Sequence, residues 1–124
     1  MDVVDFWTRS WINDDRLAVR QLLAPDVEIE WNLESPVDDE ELVQTLHRIA
    51  VFADSVTVVT QSPAGDGAAL VYDLAAPFGK ARMVEFLTVA HGRITEVRQV
   101  YDVAATDRFL PGLYEQTGPA RYER

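Results

Sequence analysis

The segment Ala68–Tyr101, AALVYDLAAPFGKARMVEFLTVAHGRITEVRQVY, decides the fold class of this chain. Three period-2 runs lie within it, at Ala69–Ala75, Met83–Ala90 and Ile94–Tyr101. Gly79-Lys80 and His91-Gly92-Arg93 punctuate them. Alternation every second residue is the mark of strands, and short turns between successive strands make an antiparallel meander. Such sheets bury one face and leave the other wet or paired.

Working back from this meander, Val27-Glu28-Ile29-Glu30-Trp31-Asn32 alternates strictly, with Val27, Ile29 and Trp31 on one face. Before it, Val3 to Leu23 carries Val3, Phe6, Trp7, Trp11, Leu17, Val19, Leu22 and Leu23 at helical spacing, interrupted by Asn13-Asp14-Asp15, a turn or N-cap for a second helical segment. Pro25 ends the helical pattern and Ser35-Pro36 ends the strand. Asp38 then stands where an N-cap belongs, with Glu41 at capping-box spacing and Asp39 and Glu40 at the positive end of the helix dipole. Leu42, Val43, Leu46, Ile49, Ala50 and Phe52 give this helix an apolar stripe. Ser55–Thr60 is a further strand, and Pro63–Gly67 its turn. Past Ala104 the periodicity is weak, with a short helical turn expected at Thr106–Leu110. The expected order is helix, strand, helix, then four strands, in one domain over 1–124 with its core at about 3–103 and a tail from 104.

The 124 residues carry a net charge of −10, which argues against nucleic acid as a partner, since that affinity comes mostly from neutralising phosphates. Eight carboxylates and no Lys or Arg fall between Gln21 and His47, a pattern that suits a solvated strand face running into an acid-rich helix start. With no cysteine, a disulfide framework and a thiolate zinc site are excluded. The apolar runs are far shorter than the roughly 18 residues of a membrane span, and the opening Met1-Asp2-Val3-Val4-Asp5 lacks a basic signal-peptide start, so a cytoplasmic protein is expected. Two distant histidines, His47 and His91, give no metal constellation, and neither a phosphate loop nor a nucleophile elbow is present.

Phe6-Trp7-x-x-Ser10-Trp11 ahead of Asp15, Leu22-Leu23-Ala24-Pro25-Asp26-Val27, and above all His91-Gly92-Arg93-Ile94-Thr95-Glu96-Val97-Arg98-Gln99-Val100-Tyr101-Asp102 resemble the nuclear-transport-factor-2-like superfamily, which includes SnoaL-like cyclases, ketosteroid isomerases and limonene epoxide hydrolases. The resemblance covers about residues 3 to 103 and implies an α+β fold of the cystatin-like kind, a cone-shaped curved antiparallel sheet wrapped around N-terminal helices. It also implies a cofactor-free acid–base enzyme of cyclase, isomerase or hydrolase type acting on a small hydrophobic or polyketide-like substrate. A non-catalytic ligand binder or dimeric accessory protein is the alternative. A homodimer through the outer sheet face, carrying Met83, Leu87 and Val89, goes with either.

The resemblance also assigns a phase to the strands. It turns Ile29, Trp31, Val71, Asp73, Phe86, Thr88, Val97, Gln99 and Tyr101 into the cone, with Trp7 beside them and His47 at its mouth. Alternation alone leaves Ala69–Ala75 open, because Leu70, Tyr72 and Leu74 make an equally apolar opposite face. The places matching the three catalytic roles of ketosteroid isomerases hold Trp7, Trp31 and about Phe86, none able to shuttle a proton. Those matching the epoxide hydrolases hold Val71, Ala69, Gln99, Ile29 and Trp31, of which Gln99 alone could orient a water. The remaining catalytic candidate is Asp73, a carboxylate whose proton affinity would rise in an apolar cavity, with Gln99 and Tyr101 orienting a substrate oxygen. Glu85 enters the cone only if its strand has the opposite phase, and on the outside would pair with Arg82 or Arg98. No metal or cofactor is expected.

Overall fold

The computed structural model describes residues 2–32, 37–77 and 79–101. Three helices precede or interrupt five strands: α1 (Val3–Ile12), α2 (Arg16–Leu22), β1 (Leu23–Trp31), α3 (Asp39–Phe52), β2 (Ser55–Ala64), β3 (Gly67–Ala76), β4 (Gly79–Ala90) and β5 (Arg93–Tyr101). The expected order holds, as do the caps at Asp15 and Asp38, and Asp2 adds one for α1. Asp2 accepts from the Asp5 amide, Asp15 from Ala18 and Asp38 from Glu40, each satisfying an N-terminal donor that its helix cannot. The expected turn at Thr106–Leu110 lies outside the described residues.

The strands form one curved sheet in the order β1-β5-β4-β3-β2. It is mixed rather than wholly antiparallel, because β1 joins β5 in parallel, with Ile29 opposite Val97 and Trp31 opposite Gln99. Parallel pairing needs a long crossover, and here α3 and the whole meander supply it. The register breaks between Leu23 and Glu28, between Val58 and Thr60, and between Thr88 and Val89. Such irregularities bend strands and sharpen their twist, which is how the sheet curls around α1 and α3. Two turns are tight. His91 and Gly92 both take positive φ (54° and 75°) between the paired residues Ala90 and Arg93, the geometry of a two-residue hairpin loop. A side chain at Gly67 would overlap the carbonyl of Leu87 on the neighbouring strand, so that position admits only glycine.

Several boundaries differ from the sequence expectation. β1 starts at Leu23 and passes through Pro25, which sits on an edge strand where its missing N–H costs no ladder bond. β2 runs on through Pro63 to Ala64, likewise an edge, so its turn is only Gly65-Asp66. Gly79 and Lys80 belong to β4 rather than to a turn, opposite Ala76 and Ala75.

The larger correction is one of phase. In β3 the buried set is Ala68, Leu70, Tyr72 and Leu74, and in β4 it is Ala81, Met83, Glu85 and Leu87. Val71, Asp73, Phe86 and Thr88, expected inside, lie on the outer face, whereas Met83 and Leu87, expected outside, are buried with Val89 packed against them. The cause is the charge at the start of β4. Turning Phe86 inward would carry Lys80 and Arg82 inward with it, and buried cations without partners cost far more than a solvated pair. Outside, Arg82 faces Asp73 directly across the hairpin and binds it through two N–H···O bonds of 2.7 and 3.0 Å.

The core between sheet and helices joins Trp7 and Trp11 of α1, Leu42, Leu46 and Ile49 of α3, and Trp31, Leu70, Tyr72, Leu74, Met83, Ile94 and Val97 of the sheet. Trp11 meets Tyr72 edge-on at 5.1 Å between ring centroids. No helix among the described residues is long and apolar enough to cross a membrane.

The phase can be checked by truncation. Met83→Ala should lower unfolding free energy by about 2–5 kcal/mol in a urea titration, and Thr88→Ala by no more than about 0.5 kcal/mol. The opposite ranking would restore the alternative phase.

Candidate functional site

The inner face of the sheet carries one carboxyl group among the described residues, that of Glu85, and it is wholly buried. Pairing across the strands sets its neighbours. Leu70, Glu85, Gln99 and Trp31 stand in one register row over β3, β4, β5 and β1, and Tyr72, Met83 and Tyr101 form the next row. Above them α1 lowers Trp7 onto the sheet, because its apolar stripe puts Val4, Trp7 and Trp11 on the buried side.

Three donors converge on Glu85. The Trp7 indole Nε1–H donates to Oε1 at 3.2 Å, the Tyr72 hydroxyl donates to the same oxygen at 2.7 Å, and the Gln99 side-chain amide donates to Oε2 at 2.6 Å. The Tyr101 hydroxyl in turn donates to the Gln99 carbonyl oxygen. Asn32 ties this end of β5 to β1. Its amide N–H donates to the Gln99 backbone carbonyl, and its side-chain oxygen accepts from the Tyr101 amide. Asn32 holds φ at 47°, a conformation asparagine tolerates better than most residues.

Burial pushes the Glu85 carboxyl above its ordinary range, and the bonds from Tyr72, Gln99 and Trp7 pull it back only in part. Among the described residues no cation contributes to this balance. Burial and the neighbouring Glu85 push the Tyr72 phenol up as well, so it stays protonated and serves as a fixed hydroxyl. A carboxyl whose proton affinity is raised inside an apolar wall can donate a proton or a hydrogen bond, and once ionised it can accept.

The expected catalytic trio is therefore divided. Gln99 and Tyr101 face the interior and join Glu85 there. Asp73 stands on the outer face, where the Arg82 guanidinium outweighs a partial desolvation and, with a smaller contribution from Lys80, holds its carboxyl below the usual range, the opposite of what a general acid needs. Of the expected binding residues, Trp7, Ile29, Trp31 and Val97 line the buried interior, while Val71, Phe86 and Thr88 face outward, Phe86 with 45% of its surface exposed. His47 is half-buried on α3, and its Nδ1 meets the Asp14 carboxylate at 2.7 Å across the α1–α2 turn, so it pins helices together. Among the described residues no three His, Cys, Asp or Glu side chains are grouped to hold a metal ion. Tyr72 and Glu85 were missed as a pair. The signal for them was Lys80 and Arg82, whose charge fixes the phase of β4, and Asp73, which stands opposite Arg82 in the β3–β4 hairpin.

No family model matches the chain, and no curated protein matches it. Solved structures do. An uncharacterised bacterial protein with a cystatin-like fold from Silicibacter pomeroyi superposes with a TM-score of 0.75 at 14% identity, over 92% of this chain and 84% of its own. A steroid delta-isomerase from Pseudomonas aeruginosa gives 0.70 at 13%, over 93% and 85%. A candidate SnoaL-like polyketide cyclase from Jannaschia gives 0.66 at 17%, over 88% and 92%. The chain thus has the cystatin-like, nuclear-transport-factor-2-like fold. That fold hosts many chemistries, and the site alone can argue for one of them.

A buried acid leaves a trace in stability. The folded-state proton affinity of Glu85 lies above its unfolded value of 4.5, so its contribution is complete below that pH and is lost as pH rises through the folded value. Wild-type stability, measured by urea unfolding, should fall with a slope approaching about 1.4 kcal/mol per pH unit across this window. Glu85→Gln should remove that slope, and an unchanged slope would mean that Glu85 is solvated.

Proposed function

We propose that this protein is a cofactor-independent acid–base enzyme of the SnoaL-like kind, with Glu85 as the proton-transferring group. Its substrate is a small, mostly apolar molecule held against the inner sheet face. The observation that carries this is an inward carboxyl, solitary among the described residues, bonded by Trp7, Tyr72 and Gln99 with no cation among those residues to neutralise it. Natural cores rarely spend a buried position on an acid unless its bonds or its chemistry require it. The names of two structural neighbours, a steroid delta-isomerase and a candidate polyketide cyclase, support the same class of chemistry.

The geometry supports the following roles. Glu85 exchanges the proton through Oε2, which has one protein partner where Oε1 has two. Gln99 and Tyr101 orient a substrate oxygen at the β5 end of the row. Trp7, Trp31, Ile29 and Val97 supply apolar walls that exclude water and keep the carboxyl's proton affinity high.

One observation favours a second reading, a non-catalytic binder of hydrophobic ligands. Both Glu85 oxygens already have protein donors and the group is wholly buried, which is also what a purely structural network looks like.

Turnover of small steroid and polyketide-like ketones, with tryptophan fluorescence as the binding signal, separates the two. Glu85→Gln should lower turnover by at least about 100-fold while leaving ligand affinity within a few-fold. Asp73→Asn should change neither. Ligand quenching in the absence of any turnover, indifferent to Glu85→Gln, would establish the binder instead.

A further inference from the structure

Four residues in contact, Tyr72, Glu85, Gln99 and Tyr101, make a chain in which each link has a definite donor and acceptor. Two of the groups facing Glu85 cannot reverse on their own. The Trp7 indole N–H only donates, and it points at Oε1. The Tyr72 hydroxyl points at the same oxygen, flanked on its other side by Thr8 and Trp11 of α1. With two donors on Oε1, the oxygen left to take a proton is Oε2. Its partner, the Gln99 side-chain amide, is the one group there that presents a donor and an acceptor on the same planar head.

We propose that Gln99 is a two-state relay that converts the protonation of Glu85 into the hydrogen-bond polarity of Tyr101. When Glu85 is ionised, Oε2 only accepts. Gln99 must then turn its NH₂ toward Glu85 and its carbonyl oxygen toward Tyr101, and the Tyr101 proton is used on that carbonyl. When Oε2 takes up one proton from solvent, it becomes a donor. The Gln99 amide turns over, accepts from Glu85 through its oxygen, and donates to the Tyr101 oxygen through its NH₂. The Tyr101 O–H is then no longer used on Gln99.

In both states the Glu85–Gln99 and Gln99–Tyr101 contacts each pair a donor with an acceptor, so the links within the row survive the change. The 2.6 Å separation between Gln99 and Oε2 accommodates both, being short for N–H···O and ordinary for O–H···O. Among the described residues, the titratable groups facing the row are Glu85 itself, Tyr72 and Tyr101. Tyr72, pushed upward by burial, stays neutral while Glu85 changes state.

The consequence deepens the functional assignment above and rests on it. With Glu85 neutral, Tyr101 presents a donor, which selects a carbonyl or ether oxygen in the ligand. With Glu85 ionised, Tyr101 presents an acceptor, which selects a hydroxyl or amine. One protonation thus sets both the acid and the oxygen chemistry of the molecule it acts on.

The test needs no substrate. Glu side chains labelled with ¹³C at Cδ and Tyr side chains at Cζ are followed by NMR from about pH 4 to about pH 9, below the ordinary ionisation of tyrosine. Tyr101→Phe assigns the tyrosine signal and Glu85→Gln the carboxyl. In wild type the Glu85 and Tyr101 carbons should share one inflection. In Gln99→Met the Glu85 carbon should still titrate while Tyr101 stays flat. Gln99→Leu serves if the first variant does not fold, and the coincidence of the two wild-type inflections, absent in Glu85→Gln, stands without either. A Tyr101 signal that follows Glu85 in Gln99→Met, a flat Tyr101 in wild type beside a titrating Glu85, or a Glu85 that does not titrate in this range would each overturn the relay. Absent turnover with the relay intact would count against the enzyme reading alone.

Discussion

Glu85 loses all contact with water on folding, and the hydrogen bonds from Trp7, Tyr72 and Gln99 are what make that loss tolerable. An unpartnered carboxylate inside a protein is far too costly to persist, so the three donors and the acid must be placed together. Their placement in turn fixes much else. Tyr72 and Glu85 must share the inner face, which sets the phase of β3 against β4. Gln99 must lie opposite Glu85, which sets β5. Trp7 must reach the sheet, which sets the height and rotation of α1. The site and the core are the same object seen from two sides.

The outer face obeys the complementary rule. Lys80 and Arg82 cannot enter the core, and Asp73 meets Arg82 in solvent, so the hairpin is held in register by one charged pair outside and one hydrogen-bonded pair inside. Turning the whole hairpin over would bury two cations and expose Leu70, Tyr72 and Leu74, and a slip of one residue would part Asp73 from Arg82. The resulting outer surface carries Val71, Val84 and Val100 in one row, with Phe86 and Val100 each 45% exposed.

Most of the architecture was legible in the sequence, because helix caps and alternation are local signals. Asp15 and Asp38 announced their helices, His91-Gly92 announced its hairpin, and Val27–Trp31 and Val97–Tyr101 showed their inward faces through the contrast with Glu28, Glu30, Glu96 and Arg98. The meander's first hairpin was ambiguous because both faces of Ala69–Ala75 are apolar, and an isolated Asp looked more like chemistry than a Glu flanked by Val84 and Phe86. Pairing across strands resolves it, and pairing is not a property of either strand alone. The parallel joining of β1 to β5 was hidden for the same reason, since nothing local distinguishes a parallel from an antiparallel neighbour.

The claim on which site, phase and relay all depend is that Glu85 accepts a hydrogen bond from the Trp7 indole in a dry interior. The ¹⁵N and ¹H shifts of the Trp7 Nε1–H, followed through a pH titration of wild type and Glu85→Gln, measure this directly. The expected result is a slowly exchanging indole proton whose shift moves with the ionisation of Glu85 and does not move in the variant. A rapidly exchanging indole proton, or one with the same pH response in both proteins, would contradict it.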